Sequence, residues 1–273
     1  MKKTVIGAIA LLGAMAVTPV SAKETISAVG SSSVTPLMEV FSETYMKSNS
    51  DVFIEVQGPG SSAGVKAAKN GSADLGMSSR NLKESEKEPT LKELTVALDG
   101  IAVVVNPKND LKGLTAEQVT AIYTGEVTNW KDVGGADKPI VAITRDTASG
   151  TRGAFEDIMS LKKKISGKTV SAISQRAQVA NGNGALKTMV ASNPYAIGYI
   201  SLGTVDESVH ALAIDGVDAT VDNVKGGSYK VARPFLVLYR EGQPTAATQK
   251  FLDWMVSDDA QALVDQKGYI SVK

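Results

Sequence analysis

Short apolar runs rich in β-branched side chains alternate along this chain with longer stretches in which apolar positions recur every three or four residues. Residues 25–29, 52–57 and 75–77 read as strands. Residues 36–47, opened by Pro36, and 63–70, closed by Gly71, read as the helices between them. The strongest apolar runs are 101–105 and 235–239. Between them lie a helix at 115–123, a strand at 140–144, a helix beginning at Gly153, another after Asn183 and Gly184, and a strand at 197–200. Two helices, 245–256 and 259–267, follow the second run. Regular alternation of strand and helix predicts an α/β fold of mostly parallel sheets with helices on both faces. The runs at 101–105 and 235–239 would carry the chain out of one lobe and back, giving a clamshell with two hinge crossings. Its first lobe is discontinuous, 23–102 and 234–273, and its second is continuous, 103–233.

The amino end breaks this pattern. Met1, Lys2 and Lys3 precede a mostly apolar run to Val17, and Val20-Ser21-Ala22 supplies small residues, which reads as a cleaved signal peptide over 1–22. The apolar run is short of the roughly 20 residues that span a bilayer. The chain has no cysteine, so neither disulfides nor a lipid-modified cysteine is available to it. A freely soluble protein of the periplasm, stabilised by buried apolar surface, is the expected outcome. Charge is balanced at 29 basic and 29 acidic residues, and without Lys2 and Lys3 the count is 27 against 29, a formal charge of about −2. Binding to a phosphate backbone rests on clustered Lys and Arg, so no nucleic acid partner is expected and any anion site must be local.

Chemistry concentrates in Arg145-Asp146-Thr147-Ala148-Ser149-Gly150-Thr151-Arg152, at the junction of a predicted strand and a predicted helix. The free N–H groups and dipole of a helix start favour negative charge, and Arg145 adds a charged fork suited to a small oxyanion. Hydroxyl-rich turns at Ser31 to Ser33 and at Ser61-Ser62 also sit at helix starts. Any one of them is compatible with simple capping. Three of them with Arg145, in a two-lobe α/β chain, point to one shared anion site.

Other chemistries are poorly served. A serine nucleophile needs a base, and the one histidine, His210, reads as a surface residue at the edge of a strand. One His and no Cys cannot supply the usual zinc ligands, and neither Asp215-Gly216-Val217-Asp218 nor Ser257-Asp258-Asp259 has the spaced acids of a calcium loop. No catalytic residue, metal or cofactor is expected. Gly58-Pro59-Gly60-Ser61-Ser62-Ala63 fits a loose dinucleotide fingerprint, yet the helix after it is short, Pro59 removes an N–H, and Asp74 lies ahead of the next strand instead of at its end. Gly167-Lys168-Thr169 lacks the upstream glycine of a P-loop.

With Gly30-Ser31-Ser32-Ser33-Val34, Gly58-Pro59-Gly60-Ser61-Ser62-Ala63-Gly64-Val65-Lys66, and Arg145 with Ser149-Gly150-Thr151, the chain resembles the phosphate-binding components of phosphate-specific ABC importers, which are type II periplasmic binding proteins. Ile122-Tyr123-Thr124-Gly125 with Asn129-Trp130, Ile197-Gly198-Tyr199 and Phe251-Leu252-Asp253-Trp254 support the resemblance, which covers nearly all of the chain after residue 22. It implies a non-catalytic, monomeric receptor that closes two lobes over inorganic phosphate and presents it to an inner-membrane ABC permease complex. The ligands it implies are Ser33, the N–H of Val34, Ser61, Arg145, Ser149, the N–H of Gly150, and Thr151. Ser79 stands where better-known members carry an aspartate that accepts the proton of hydrogen phosphate, and a hydroxyl accepts more weakly. Arg80 follows it and adds positive charge. Those members also place an aspartate two residues after the arginine; here Asp146 is adjacent, and either orients Arg145 or faces solvent. A receptor for another tetrahedral oxyanion (sulfate, molybdate or tungstate) and a secreted hydrolase are the alternatives.

Overall fold

The computed structural model describes residues 23–273; the signal peptide read at 1–22 lies outside the described residues. The chain opens with β1 (Glu24–Gly30), α1 (Thr35–Ser48), β2 (Val52–Gln57), α2 (Ser61–Asn70) and β3 (Leu75–Ser78), and then runs out along β4 (Leu91–Val105). The next stretch holds β5 (Gly113–Leu114), α3 (Ala116–Thr124), β6 (Val141–Arg145), α4 (Gly150–Ile158), β7 (Lys162–Ile165), β8 (Lys168–Ser171) and β9 (Gln178–Ala180). It continues through α5 (Gly182–Ser192), β10 (Ala196–Ser201), β11 (His210–Ala211), β12 (Ala213–Ile214) and α6 (Val221–Lys225). β13 (Ala232–Arg240) carries the chain back to α7 (Ala246–Met255) and α8 (Asp258–Gln266).

One mixed sheet runs through the molecule in the order β2-β1-β3-β13-β4-β10-β6-β9, with β11 also on β4. Parallel pairing is confined to each half: β1 with β2 and β3, and β6 with β10 and β9. The two crossing strands run antiparallel to their neighbours. β4 is the spine. Its residues 91–100 pair with β13 and its residues 101–105 with β10. The hydrophobic pattern marks only the second part, because Lys92, Glu93 and Thr95 interrupt the first. At the crossing, β4 and the lead-in to β13 are tied by the N–H of Ile101 donating to the carbonyl of Val231 at 2.7 Å.

Side-chain alternation puts helices on both faces. In β13, Phe235 and Val237 join a core with Leu37, Phe41, Phe251 and Met255 from α1 and α7, while Leu236 and Leu238 pack with Val65 and Ala68 of α2. In β4, Ile101, Val103 and Val105 face a core built with Val119, Tyr123 and Phe155, while Ala102 and Val104 face Leu186 and Val190 of α5. The apolar side chains therefore gather in two cores on either side of the crossing, each layered around its part of one sheet, the arrangement of a two-lobe fold.

Two features depart from the sequence reading. β7 and β8 form an antiparallel hairpin that no hydrophobic pattern announced, since it carries Lys162, Lys163, Lys164 and Lys168. It is closed by Ser166 and Gly167, both at positive φ, the two-residue turn that matches strand twist. His210 is not a surface residue: it is half-buried in β11 opposite Val105, and its Nε2 is enclosed. Among the described residues no helix is long and apolar enough to cross a membrane.

Candidate anion site

The three hydroxyl-rich turns meet. Capping accounts for only one of them. Ser149 accepts the N–H of Arg152 at 3.2 Å and caps α4, whereas α1 and α2 begin at Val34 and Gly60 with no side-chain cap. Ser33 and Ser61 are thus buried hydroxyls that no helix start requires.

Arg145 ends β6 and is aimed by its neighbours. The Tyr199 hydroxyl on β10 lies 2.6 Å from Thr144 Oγ1 and accepts the backbone N–H of Arg145 at 3.3 Å, while its ring stacks on Phe155 with centroids 4.0 Å apart. Burial pushes the Tyr199 hydroxyl up to about 12, so it stays protonated. Arg145 is 1% exposed. Its Nη1 donates to Asn183 Oδ1 at 2.9 Å and its Nη2 to Ser32 Oγ at 3.0 Å, and its buried Nε has no partner among the described residues. Burial draws the guanidinium below its ordinary value and the Asp146 charge opposes that shift; an arginine so held remains a cation. The Asp146 side chain does not orient it, because its Oδ1 accepts the N–H of Ala148 at 2.8 Å.

A guanidinium has no acceptor, so Arg145 fixes the orientation of the Asn183 amide and turns its Nδ2 toward Ser33 Oγ at 2.9 Å. Ser33 Oγ is in turn 2.9 Å from Thr151 Oγ1, a contact between halves across the crossing strands. A second contact between halves is the N–H of Ser62 donating to the carbonyl of Ala148 at 3.1 Å. Gly150 lies so close to Ser61 that a Cβ on it would stand 2.1 Å from Ser61 Oγ. As the first residues of α4, Gly150 and Thr151 present N–H groups that the helix itself cannot satisfy.

Ser79 completes the set. Its N–H donates to Ser61 Oγ at 3.1 Å, and its hydroxyl lies 3.4 Å from the same oxygen. Arg233 Nη1 donates to both Ser79 O and Ser79 Oγ, at 3.2 and 3.3 Å, while Nη2 bonds Asp99 at 2.9 Å in a wholly buried ion pair. Burial raises Asp99, against the pull of Arg233, and lowers Arg233. Arg80 does not charge the site, since it is forked onto Glu86 at 2.7 and 2.8 Å. The N–H of Val34 also differs from expectation: it donates to the Ser31 carbonyl at 3.1 Å and closes the turn. A cleft of about 530 Å³ opens beside Ser149, between Arg80 and Lys83 on one side and Arg152 and Lys162 on the other.

Sequence reasoning missed Ser32 as a partner, Asn183, and the Asp99–Arg233 pair. The pair had a signal, since Asp99 and Arg233 each border the most apolar stretch of their strands; Asn183 had none beyond its place at a helix start. No site hydroxyl is bonded to a histidine or carboxylate, Asp74 is held by the N–H and hydroxyl of Ser27, and no metal-binding cluster occurs among the described residues.

Comparison with known proteins identifies the family. A family model described as a PBP superfamily domain matches residues 17–259. The phosphate-binding protein PstS of Bacillus subtilis is 32% identical over 247 residues, 89% of this chain and 79% of that protein. Among solved structures, a putative phosphate ABC transporter substrate-binding protein with bound phosphate from Clostridium perfringens aligns with a TM-score of 0.87 at 43% identity, over 92% of this chain and 100% of that one. An ABC-type phosphate transport receptor from Vibrio cholerae aligns with a TM-score of 0.77 at 42% identity, over 90% and 99%. With its two cores, its shared spine and a family match spanning most of its length, the chain belongs to the PBP superfamily, whose members are binding proteins and not a family of enzymes.

Proposed function

We propose that this protein is a periplasmic receptor that binds inorganic phosphate between its lobes and delivers it to an inner-membrane ABC permease complex. It does so as a monomer and without chemistry of its own. The lobes are residues 23–102 with 234–273, and residues 103–233. The observation that carries this reading is Arg145, a buried cation whose hydrogen-bond partners are neutral and whose Nε is unpartnered, beside the N-terminus of α4 and in contact with the serine turns of the other half. Such a centre is stabilised by an anion. Phosphate is the choice because the solved relatives above are phosphate receptors by description and are 42–43% identical over nine-tenths of the chain.

The ligand groups are Ser33, Ser61, Ser79, Arg145, Ser149, the N–H of Gly150 and Thr151, with Val34 closing the turn that carries Ser33. Each half holds part of the set, so an open form grips the anion weakly and closure completes the site. Hydrogen bonds to a charged group contribute roughly 1.5 to 3 kcal/mol each, so a handful offsets desolvation of the anion and reaches about −8 kcal/mol, micromolar affinity. Calorimetric titration with phosphate tests the reading, and absence of binding at millimolar phosphate would refute it.

A further inference from the structure

Acidic residues are absent from Ile158 to Val205, while Lys162, Lys163, Lys164, Lys168, Arg176 and Lys187 fall inside that stretch. A chain of balanced charge thus carries a local block of cations. Lys162, Lys163, Lys164 and Lys168 sit on the β7–β8 hairpin, whose strands pair only with each other. Its apolar side chains, Ile165 and Val170, are exposed, so it buries no core of its own. A lone two-stranded hairpin is marginally stable, and crowding like charges onto it weakens it further. Packing gives no reason for this composition.

Position does. Lys162, Thr169 and Ser171 line the cleft of about 530 Å³ that reaches Ser149, and Lys83 lies on its opposite wall. Most charges around this cleft cancel in pairs: Arg80 with Glu86, Lys87 with Glu84, Arg152 with Glu156, and Lys162 with Asp157. Lys83, Lys163, Lys164 and Lys168 have no ion-pair partner among the described residues, so the mouth of the cleft keeps their positive charge. Lys163 follows Lys162, Lys164 lies opposite Thr169 in the ladder, and Lys168 precedes Thr169. Four residues of strand span roughly 13 Å. That is well inside the Debye length of about 30 Å in 0.01 M salt and beyond the length of about 8 Å at 0.15 M.

We propose that the β7–β8 hairpin, with Lys83 across from it, is an electrostatic collector that draws the anion into the cleft and speeds its capture without holding it once bound. The inference rests on the phosphate-receptor reading above. Cations bonded to a bound anion govern its release, whereas free cations at the entrance govern its arrival. A macromolecular partner fits this surface less well, because Val170 is the one large apolar side chain in the lining of the cleft.

The test compares the parent with a variant carrying Lys163→Gln, Lys164→Gln and Lys168→Gln. A control variant carries Lys47→Gln, Lys250→Gln and Lys267→Gln, which removes the same charge from exposed positions outside the cleft. Rapid mixing with radiolabelled phosphate gives the association and dissociation rates, and calorimetry gives the affinity, in 0.01 M and 0.15 M salt. The hairpin variant should associate about tenfold more slowly than the parent in 0.01 M salt and within about twofold of it at 0.15 M. Its dissociation rate should match the parent's, and the control should keep the parent's rates throughout. Equal association rates for parent and hairpin variant in 0.01 M salt would overturn the proposal. So would an equal slowing of the control, or a change confined to dissociation. A hairpin variant that keeps the parent's association rate but loses binding to vesicles of anionic phospholipid would assign the lysines to a membrane surface instead. Absence of phosphate binding by the parent would remove the reading on which the inference rests.

Discussion

Gly150→Ala isolates the energetics of closure, because it adds one methyl group where the start of α4 meets Ser61 and Ser79 of the other half. The new Cβ would stand 2.1 Å from Ser61 Oγ, 2.8 Å from Ser61 Cβ and 2.7 Å from Ser79 Oγ, all well inside van der Waals contact. Ser61 cannot retreat, since it is fully buried at the first position of α2 and its oxygen is bonded to the N–H of Ser79. Gly150 is absent from the residues at positive φ, so alanine suits its backbone and in a helix is favoured over glycine by up to about 1 kcal/mol. The free protein can open to relieve the clash; the closed complex cannot. Overpacking of this kind costs roughly 1 to 3 kcal/mol, which places the loss of phosphate affinity between about fivefold and 150-fold. Calorimetry measures that loss, and thermal unfolding without ligand should show a melting temperature equal to or above the parent's. Unchanged affinity, or a ligand-free protein destabilised as much as the complex, would refute the idea that closure brings Gly150 against Ser61.

Other substitutions probe separate parts of the site. Arg145→Ala should weaken phosphate by roughly 2 to 5 kcal/mol in the same calorimetric assay, since it removes the buried cation. Asn183→Asp, nearly isosteric, sets a carboxylate against Arg145 and should oppose anion binding by up to about 4 kcal/mol, an effect that a titration against Asn183→Ala would separate from loss of the amide. At Glu86, burial raises the carboxyl but the Arg80 fork and the N–H of Lys83 outweigh it and hold it below its ordinary value. That stabilisation is present at neutral pH and is lost as pH falls through the depressed value. Glu86→Gln should therefore lower the melting temperature at pH 7 and converge on the parent in acid.

The layered fold was legible because most buried strands contain a short apolar run and most helices carry an evident start or stop. The site was legible where chemistry is local in sequence. Ser33, Ser61 and Ser149 lie at helix starts, and Arg145 ends a strand. What escaped the sequence was long-range geometry. Asn183 matters because α5 begins beside Arg145, and Arg233 because β13 lies opposite Asp99 in the register of the crossing strands. Polar strands escaped as well: the first ten residues of β4 and the lysine-rich hairpin are fixed by pairing and turn chemistry, with no apolar period to betray them.

The spine has a consequence for how the molecule comes apart. Since the one strand β4 pairs with β13 in one core, across a single bulge, and with β10 in the other, neither core can melt without stripping hydrogen bonds from the edge of its neighbour. Heat should find one cooperative unit instead of two, with a single calorimetric peak whose van't Hoff and measured enthalpies agree. Amide exchange along β4 should likewise show one level of protection from end to end.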